Sequence, residues 1–512
     1  MRSSNAHYAQ SDALKKQSPA AEWTRSSESY RQLWKWGGNW KGIQARLKSP
    51  YRVDLDRRKK IAEVLRQQYN RGGAPMPAAL EAFEQGAHVV TAGHQLQAGG
   101  GPAYFHYKIL SAVRWARRIT AEGQTAVSVF WLASEDHDFE EIKATHGPSG
   151  ESFQWNPEGV EKSGPVGELV WTADAERSWH NWADANKIDN AEWHSGPMPL
   201  ADRLRKWVVE WFGDLEVLVI DGNDAELKSM AMHLWRAEWQ GNGVAPFVKE
   251  AALKFESLFG TPQIQARDNN LFVLTDGGSR QRADRWQETV GADAWQTLRP
   301  EQHSPNVALR PLYQEFLLES VAFVGGPSEV SYWLLLAEAF EHHEVHQPAL
   351  LVRDGALVLN AEASQVCEEL NWNPTMLGWR GEQAVNEWAD HILQLHGDIQ
   401  ASFDRWSEAL ENHAKGIHES AMPTTRATLT KMEKELAAVK KKWRKIIKQQ
   451  RHEDAANISA IFDQWISPGG APQERVLSAM ALCSAMGNWS DFAEKWLEAL
   501  KEVDEPQFMV FR

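Results

Sequence analysis

Four ionisable residues run together in "SEDHDF": Glu135, Asp136, His137 and Asp138. They come directly after the apolar run "TAVSVFWLAS", Thr125 to Ser134. Acids flanking an imidazole can hydrogen-bond an amine or a ribose, coordinate Mg²⁺, or let His137 work as a general base. Their place favours chemistry, because open α/β sheets bind ligands outside the carboxyl ends of their strands. The alternative is a polar loop in which Asp138 caps the helix begun by "FEEI".

A second candidate is "TAGHQLQAGGGPAYFHYK", Thr91 to Lys108. Gly99, Gly100 and Gly101 stand between a strand pattern and a helix pattern. Backbone N–H groups at such a junction, together with the helix dipole, favour an anion. Phosphate or carboxylate is expected near Gly99–Tyr104. The stretch is neither a Walker loop nor a regularly spaced G-x-G-x-x-G. The alternative is a tight turn needed for packing.

A third is "SPNVALRPLYQEFLLESVAFVGGPSEVSYW", Ser304 to Trp333. Arg310 lies among apolar residues and suits bidentate recognition of a carboxylate or phosphate, or else a buried ion pair. Glu329 and Tyr332 sit one helical turn apart after a second strand–glycine junction. Other signals read as structural. His342 and His346 have i, i+4 spacing but stand at a helix end, where histidines suit the dipole. "KKKWRKIIKQQR", Lys440 to Arg451, reads as a solvated face, with a phosphate-contacting patch as its alternative. Cys367 and Cys483 read as core residues.

The elements that must position these residues are legible as runs. Apolar strands are expected at His88–Gly93, Thr125–Ser134 and Glu216–Asp221, and near Leu271, Val321 and Pro348. A helix is expected from about Pro102 to Ile119. Apolar strands alternating with helices predict an α/β fold, a Rossmann-like doubly wound, mostly parallel sheet. Residues 1–85 read as a helical segment packing on a core at 86–372, with an insertion at about 150–210. Apolar residues three and four apart from Val385 to His413, and again from Leu429 to Gln450, are heptad seams. They predict a helical coiled-coil domain at 373–512, an antiparallel hairpin turning at "ESAMPTT" with a returning C-terminal helix. Composition sets outer limits. A net charge of −14 over 512 residues argues against a general nucleic-acid binder. Two cysteines provide neither a disulfide framework nor a four-cysteine zinc site. No apolar run is long enough for a membrane span, and a cytoplasmic setting is expected.

These stretches together resemble the BshC family, the assigned cysteine ligases of bacillithiol biosynthesis. The likeness rests on "VVTAGHQLQAGGGPAYFHYKILSA", "VFWLASEDHDFEEI", "LVIDGNDAELK", "SPNVALRPLYQE", "FVGGPSEVSYW" and "SPGGAPQERVL", in the family's order. The resemblance implies a Rossmann core similar to class I cysteinyl-tRNA synthetase-type enzymes and a coiled coil that supports homodimers. It implies ATP-dependent joining of cysteine to the amine of glucosaminyl-malate, with Mg²⁺. Gly93 and Gly99–Gly101 would then hold phosphate, and Asp136 or Asp138 an ammonium or ribose. Arg310 would hold the malyl carboxylates. His94, Gln95, Asp136, His137 and Asp138 would line the core site, faced by Arg310, Glu329 and Tyr332. Gly93-His94-Gln95 stands where the family usually has Gly-Gln-Gln, giving His94 a role of its own. Neither an H-x-G-H pair nor a K-M-S-K-S loop is present, and no zinc is expected. Two other functions remain open at this level: a non-catalytic dimeric nucleotide- or metabolite-binding assembly protein, and a nucleotidyl transferase acting on another small acid.

Overall fold

The structure is a computed structural model, and it describes residues 3–7, 18–147, 152–156, 164–188, 196–265, 267–395 and 399–512. Two compact units form: Met1–Val358 together with Glu474–Arg512, and Leu359–Gln473.

The first unit is built on a five-stranded parallel sheet. Its strands are β1 (His88–His94), β2 (Ala126–Leu132), β3 (Leu218–Asp221), β4 (Ala322–Gly325) and β5 (Ala349–Val352). They lie in the order β5-β4-β1-β2-β3, every neighbour parallel. Their near-continuous apolar runs are buried, as expected for strands covered on both faces. From β1 the chain steps outward to β2 and β3, then returns to place β4 on the other side. The topological switch point therefore lies between β1 and β4.

Helix α1 (Tyr104–Ala121) follows β1. Thirteen of its residues are buried. Helix Trp489–Leu500 supplies part of its cover, with Trp496 at 4.7 Å and Phe492 at 6.4 Å from the Tyr107 ring. Helix α2 (Arg310–Leu318) precedes β4 and α3 (Pro327–Trp333) follows it. The N-terminal helices belong to this same unit. Trp23 and Trp34 donate indole N–H bonds of 2.8 Å to Leu350 O and Pro348 O, and Arg46 donates to Gln347 O. They fasten the start of β5.

Two expectations change. Leu271–Leu274 does not join the parallel sheet. It forms an antiparallel sheet with Arg280–Arg282 and His303–Pro305, because the tight turn Thr275–Ser279 returns the chain at once to its neighbour. The C-terminal segment is not one helix of the coiled-coil domain. It breaks at Gly487 (φ 89°) into Ala479–Met486 and Trp489–Leu500. It then ends in strand Gln507–Phe511, paired with Ser3–His7 and Gly355–Val358. By contacts the compact helical unit spans 359–473, and the described N-terminal helices and the C-terminal helices and strand belong to the first unit. The insertion expected at about 150–210 lies partly outside the described residues. Its described part holds short strand pairs and a tryptophan cluster, with Trp155 and Trp171 rings 5.0 Å apart.

In the second unit, α4 (Gly381–Leu395), α5 (Ile399–Ile417), α6 (Met422–Gln450) and α7 (His452–Ile461) follow one another. Side-chain bonds Arg426–Glu411 and Lys440–Gln400, with the ion pair Arg444–Asp390, set α6 antiparallel to α5 and α4. Trp406, Met432, Val439 and Ile446 on this hairpin are exposed.

Candidate functional site

A cavity of about 950 Å³ opens at the carboxyl ends of the parallel strands, all of its lining from the first unit. That is the upper range for a small-molecule site. The carboxyl ends of four strands deliver residues to it: His94 and Gln95 at the end of β1, Glu135 to His137 after β2, Gly326 to Glu329 after β4, and Arg353 after β5.

Lys108 of α1 reaches across the switch point. It is 4% exposed. Its ammonium donates to Gly93 O at 2.9 Å, at the end of β1, and forms an ion pair with Glu329 beyond β4. Glu329 also accepts the Gly326 N–H at 2.7 Å, which fixes the entry to α3. Burial pulls the Lys108 pKa below the ordinary lysine value, and Glu329 works against that pull.

Arg310 begins α2, whose entry is held by Asn306 Oδ1 accepting the N–H groups of Ala308 and Leu309. Its guanidinium donates to Gln314 Oε1 at 3.1 Å and to the Tyr332 hydroxyl at 2.9 Å. Both partners are neutral, and Arg310 makes no ion pair among the described residues. Burial raises the Tyr332 pKa while Arg310 lowers it. Arg353 is 2% exposed and paired with Glu474 at 2.7 Å. It lies 5.3 Å over the Tyr104 ring, on which His94 stacks at 5.2 Å. Enclosure, then the charges of Lys108 and Arg353, hold His94 well below the ordinary histidine pKa, as a neutral ring.

The opposite wall is a second set. Asp136 accepts from Gln95 Nε2 at 2.7 Å and from the His137 N–H at 2.7 Å. Burial opposes its ionisation, but the bonds from His137 and Gln95 and the charge of Arg280 outweigh it and lower its pKa. Arg280 donates to His137 Nδ1 at 2.8 Å, to Ser304 Oγ at 3.0 Å and to Pro305 O at 2.9 Å, and lies 3.9 Å over the Phe272 ring. Glu135 is 2% exposed. Burial raises its pKa against the pull of Arg310, Lys228 and Arg280.

The structure thus brings His94, Gln95, Asp136, His137, Arg310, Glu329 and Tyr332 around one cavity. It does not bring the glycines there. Gly99, Gly100 and Gly101 all have positive φ and face side chains. A Cβ on Gly99 would fall 2.0 Å from Trp179, and one on Gly100 would fall 2.1 Å from Trp207. On Gly101 it would fall 1.8 Å from Gln97. The backbone is pressed against the Trp179 and Trp207 rings and the Gln97 side chain, which glycine allows, and none of the three glycines lines the cavity. Gly93 contributes its carbonyl to Lys108 from behind the lining. Asp138 is exposed and caps helix Phe139–Ile142 by accepting the Glu141 N–H at 3.3 Å. His346 packs against Tyr51 at 5.2 Å, a structural contact.

Sequence reasoning passed over Lys108, Arg280 and Arg353, and left Glu135 unassigned within its cluster. Lys108 had a signal: a lone cation in the apolar run "YFHYKILSAV". Arg353 had one too, as the first charge after "PALLV". Arg280 follows "DGGS" and looks like any turn residue.

The fold and the cavity define a Rossmann-like α/β protein with an ion-lined cavity at the switch point of its sheet. Residues 7–354 match the family model "Bacillithiol biosynthesis BshC, N-terminal Rossmann-like domain", and residues 356–512 match "Bacillithiol biosynthesis BshC, C-terminal coiled-coil domain". The chain belongs to the BshC family. It is similar to a Flavobacterium johnsoniae protein named "Putative cysteine ligase BshC", 28% identical over 417 residues, 75% of this chain and 76% of the relative. Relatives of the same name in Christiangramia forsetii and Staphylococcus haemolyticus are 28% and 26% identical. These alignments cover 82% of both chains in the first case, and 66% of this chain and 69% of the relative in the second. Among the described residues, no helix is long and apolar enough to cross a membrane.

Proposed function

We propose that this chain is an ATP-dependent ligase that joins the carboxyl group of cysteine to the amine of glucosaminyl-malate, forming bacillithiol. Arg310 is the observation that carries the reading. A guanidinium enclosed in a cavity, hydrogen-bonded to neutral partners and only near the carboxylates of Glu329 and Glu135 without an ion pair to either, can take a further anion, and its planar fork matches a carboxylate. The malyl group supplies carboxylates, and cysteine supplies another.

The wall also suits phosphate. Lys108, Arg353 and Arg475 also line the cavity, and these three would hold a triphosphate accompanied by Mg²⁺. ATP, when bound, supplies the activation of the cysteine carboxyl. The chain's own groups bind and orient. Asp136, kept ionised by Gln95 and Arg280, fixes the far wall, and neutral His94 adds no charge against a cationic amine. The exposed apolar residues of the α5–α6 hairpin support a second copy covering that seam.

The experiment supplies the purified protein with ATP, Mg²⁺, cysteine and glucosaminyl-malate. Bacillithiol is followed by mass spectrometry, and AMP and ADP by chromatography. Amide product formed in step with nucleotide cleavage is expected. A folded protein that binds nucleotide but yields no amide would favour the assembly-protein reading.

A further inference from the structure

Glu135 is the third residue beyond β2, and it lines the switch-point cavity. Neither of its carboxylate oxygens has a hydrogen-bond partner among the described residues beyond the residue's own backbone N–H. Buried carboxylates ordinarily satisfy their lone pairs, so this one asks for a donor. The groups that face it are Arg310 and Tyr313 of α2, Arg280 of the antiparallel sheet, and Lys228 of helix Ala225–Met230. Their hydrogen bonds go elsewhere. Lys228 donates to Asn223 Oδ1 and Glu301 O, and Tyr313 donates to Gly222 O. Arg310 serves Gln314 and Tyr332. Arg280 serves His137, Ser304 and Pro305.

His137 is the obvious rival as a base, and its geometry argues against that role. Arginine only donates, so the 2.8 Å contact from Arg280 makes His137 Nδ1 an acceptor, and this shorter contact prevails over Asp136 Oδ1, which lies 3.4 Å from the same nitrogen and would need it protonated. The neutral ring then carries its proton on Nε2 and has no lone pair left to receive another. Arg280 is anchored at Ser304 and Pro305, so this arrangement is held from behind. Asp136 is occupied by Gln95 and by the His137 N–H.

We propose that Glu135 is the proton acceptor for the attacking amine, and that His137 acts as a hydrogen-bond donor through Nε2. The assignment rests on the amide-forming reading above. The substrate ammonium gives one proton to the Glu135 carboxylate. The freed nitrogen lone pair forms the C–N bond at the carboxyl carbon activated by the nucleoside triphosphate. The C–O bond to the phosphate-bearing leaving group breaks, its electron pair staying on the leaving oxygen. The second nitrogen proton passes to solvent. His137 Nε2–H donates to the carbonyl oxygen as negative charge develops there. Burial raises the proton affinity of Glu135 above that of an ordinary glutamate, the direction a base needs.

Steady-state amide formation is measured from pH 5 to 9 for wild type, Glu135→Gln and His137→Gln. Glu135→Gln is expected to lower kcat by about 100-fold or more while KM for the amine stays within about threefold. The acid limb of kcat/KM should vanish in Glu135→Gln and persist in the slower His137→Gln. An unchanged kcat and acid limb in Glu135→Gln would overturn the assignment, as would loss of that limb in His137→Gln. The second variant decides the matter alone should Glu135→Gln fail to fold. If wild type forms no amide at all, the ligase reading falls and takes this assignment with it. Product from wild type with the roles reversed would sink this assignment only.

Discussion

Replacing Gly100 by alanine separates packing from phosphate binding. Gly100 has φ 73°, and its added Cβ would stand 2.1 Å from Trp207 Cη2. A non-glycine residue in left-handed backbone costs about 1–2 kcal/mol. The Trp207 ring cannot move aside cheaply. It is 1% exposed and sits 5.0 Å from both the Trp211 ring and the His106 ring. Overpacking of this kind adds about 1–3 kcal/mol. Gly73 supplies the control, with φ 59° and nothing within 4 Å of its added Cβ. Gly73→Ala should therefore cost the backbone portion alone, and Gly100→Ala should cost about 1–3 kcal/mol more. Urea unfolding, followed by tryptophan fluorescence and circular dichroism, measures both. Trp207→Leu removes the clashing ring atoms, so the double variant should be less destabilised than the sum of the singles. Equal destabilisation by Gly73→Ala and Gly100→Ala, with nucleotide affinity lost in the latter, would refute the packing account.

Two further outcomes follow from buried charge. His106 is fully buried among Trp207, Trp211 and Trp489, neither ring nitrogen has a hydrogen-bond partner among the described residues, and burial pushes its pKa down to about 3. Its contribution is full above the unfolded histidine pKa and is lost as pH falls from there toward the folded value. At pH 5 the loss relative to pH 7 should be about 2 kcal/mol. It should be absent in His106→Phe, provided that variant folds; unfolding at both pH values tests this. Lys108→Met leaves the Glu329 carboxylate unpaired at the switch point and should cost about 3 kcal/mol. Lys108→Met with Glu329→Gln should recover part of that loss, and a double variant no more stable than the single would contradict the pairing.

The parallel sheet was legible because β-branched apolar runs such as "HVVTAG" and "VAFVG" admit one reading, and the chain order of helices between them imposes parallel pairing. Leu271–Leu274 shows where that reading stops. Its residues declare a strand, but only the turn after it selects the partner. The packing of the glycine run was out of reach for a related reason. Its positive φ follows from local sequence, whereas the rings that demand it, Trp179 and Trp207, lie far along the chain. The cavity was half legible. Charges that directly follow an apolar strand, as in "SEDHDF", could be placed at the carboxyl edge. Arg280 could not, since it arrives from a separate sheet whose docking no spacing reveals. Asp138 shows the converse, an acid in the right cluster turned outward by its helix cap.

The claim at the centre of this account is that Arg310 gives the switch-point cavity its anionic ligand. Calorimetric titration of glucosaminyl-malate into wild type and Arg310→Met tests it most directly, with glucosamine lacking the malyl carboxylates as comparison. A lost charge-assisted hydrogen-bond pair should weaken binding of the malyl conjugate by about 10- to 100-fold and leave glucosamine unaffected. Equal affinity of both proteins for glucosaminyl-malate would contradict the placement of the substrate in this cavity.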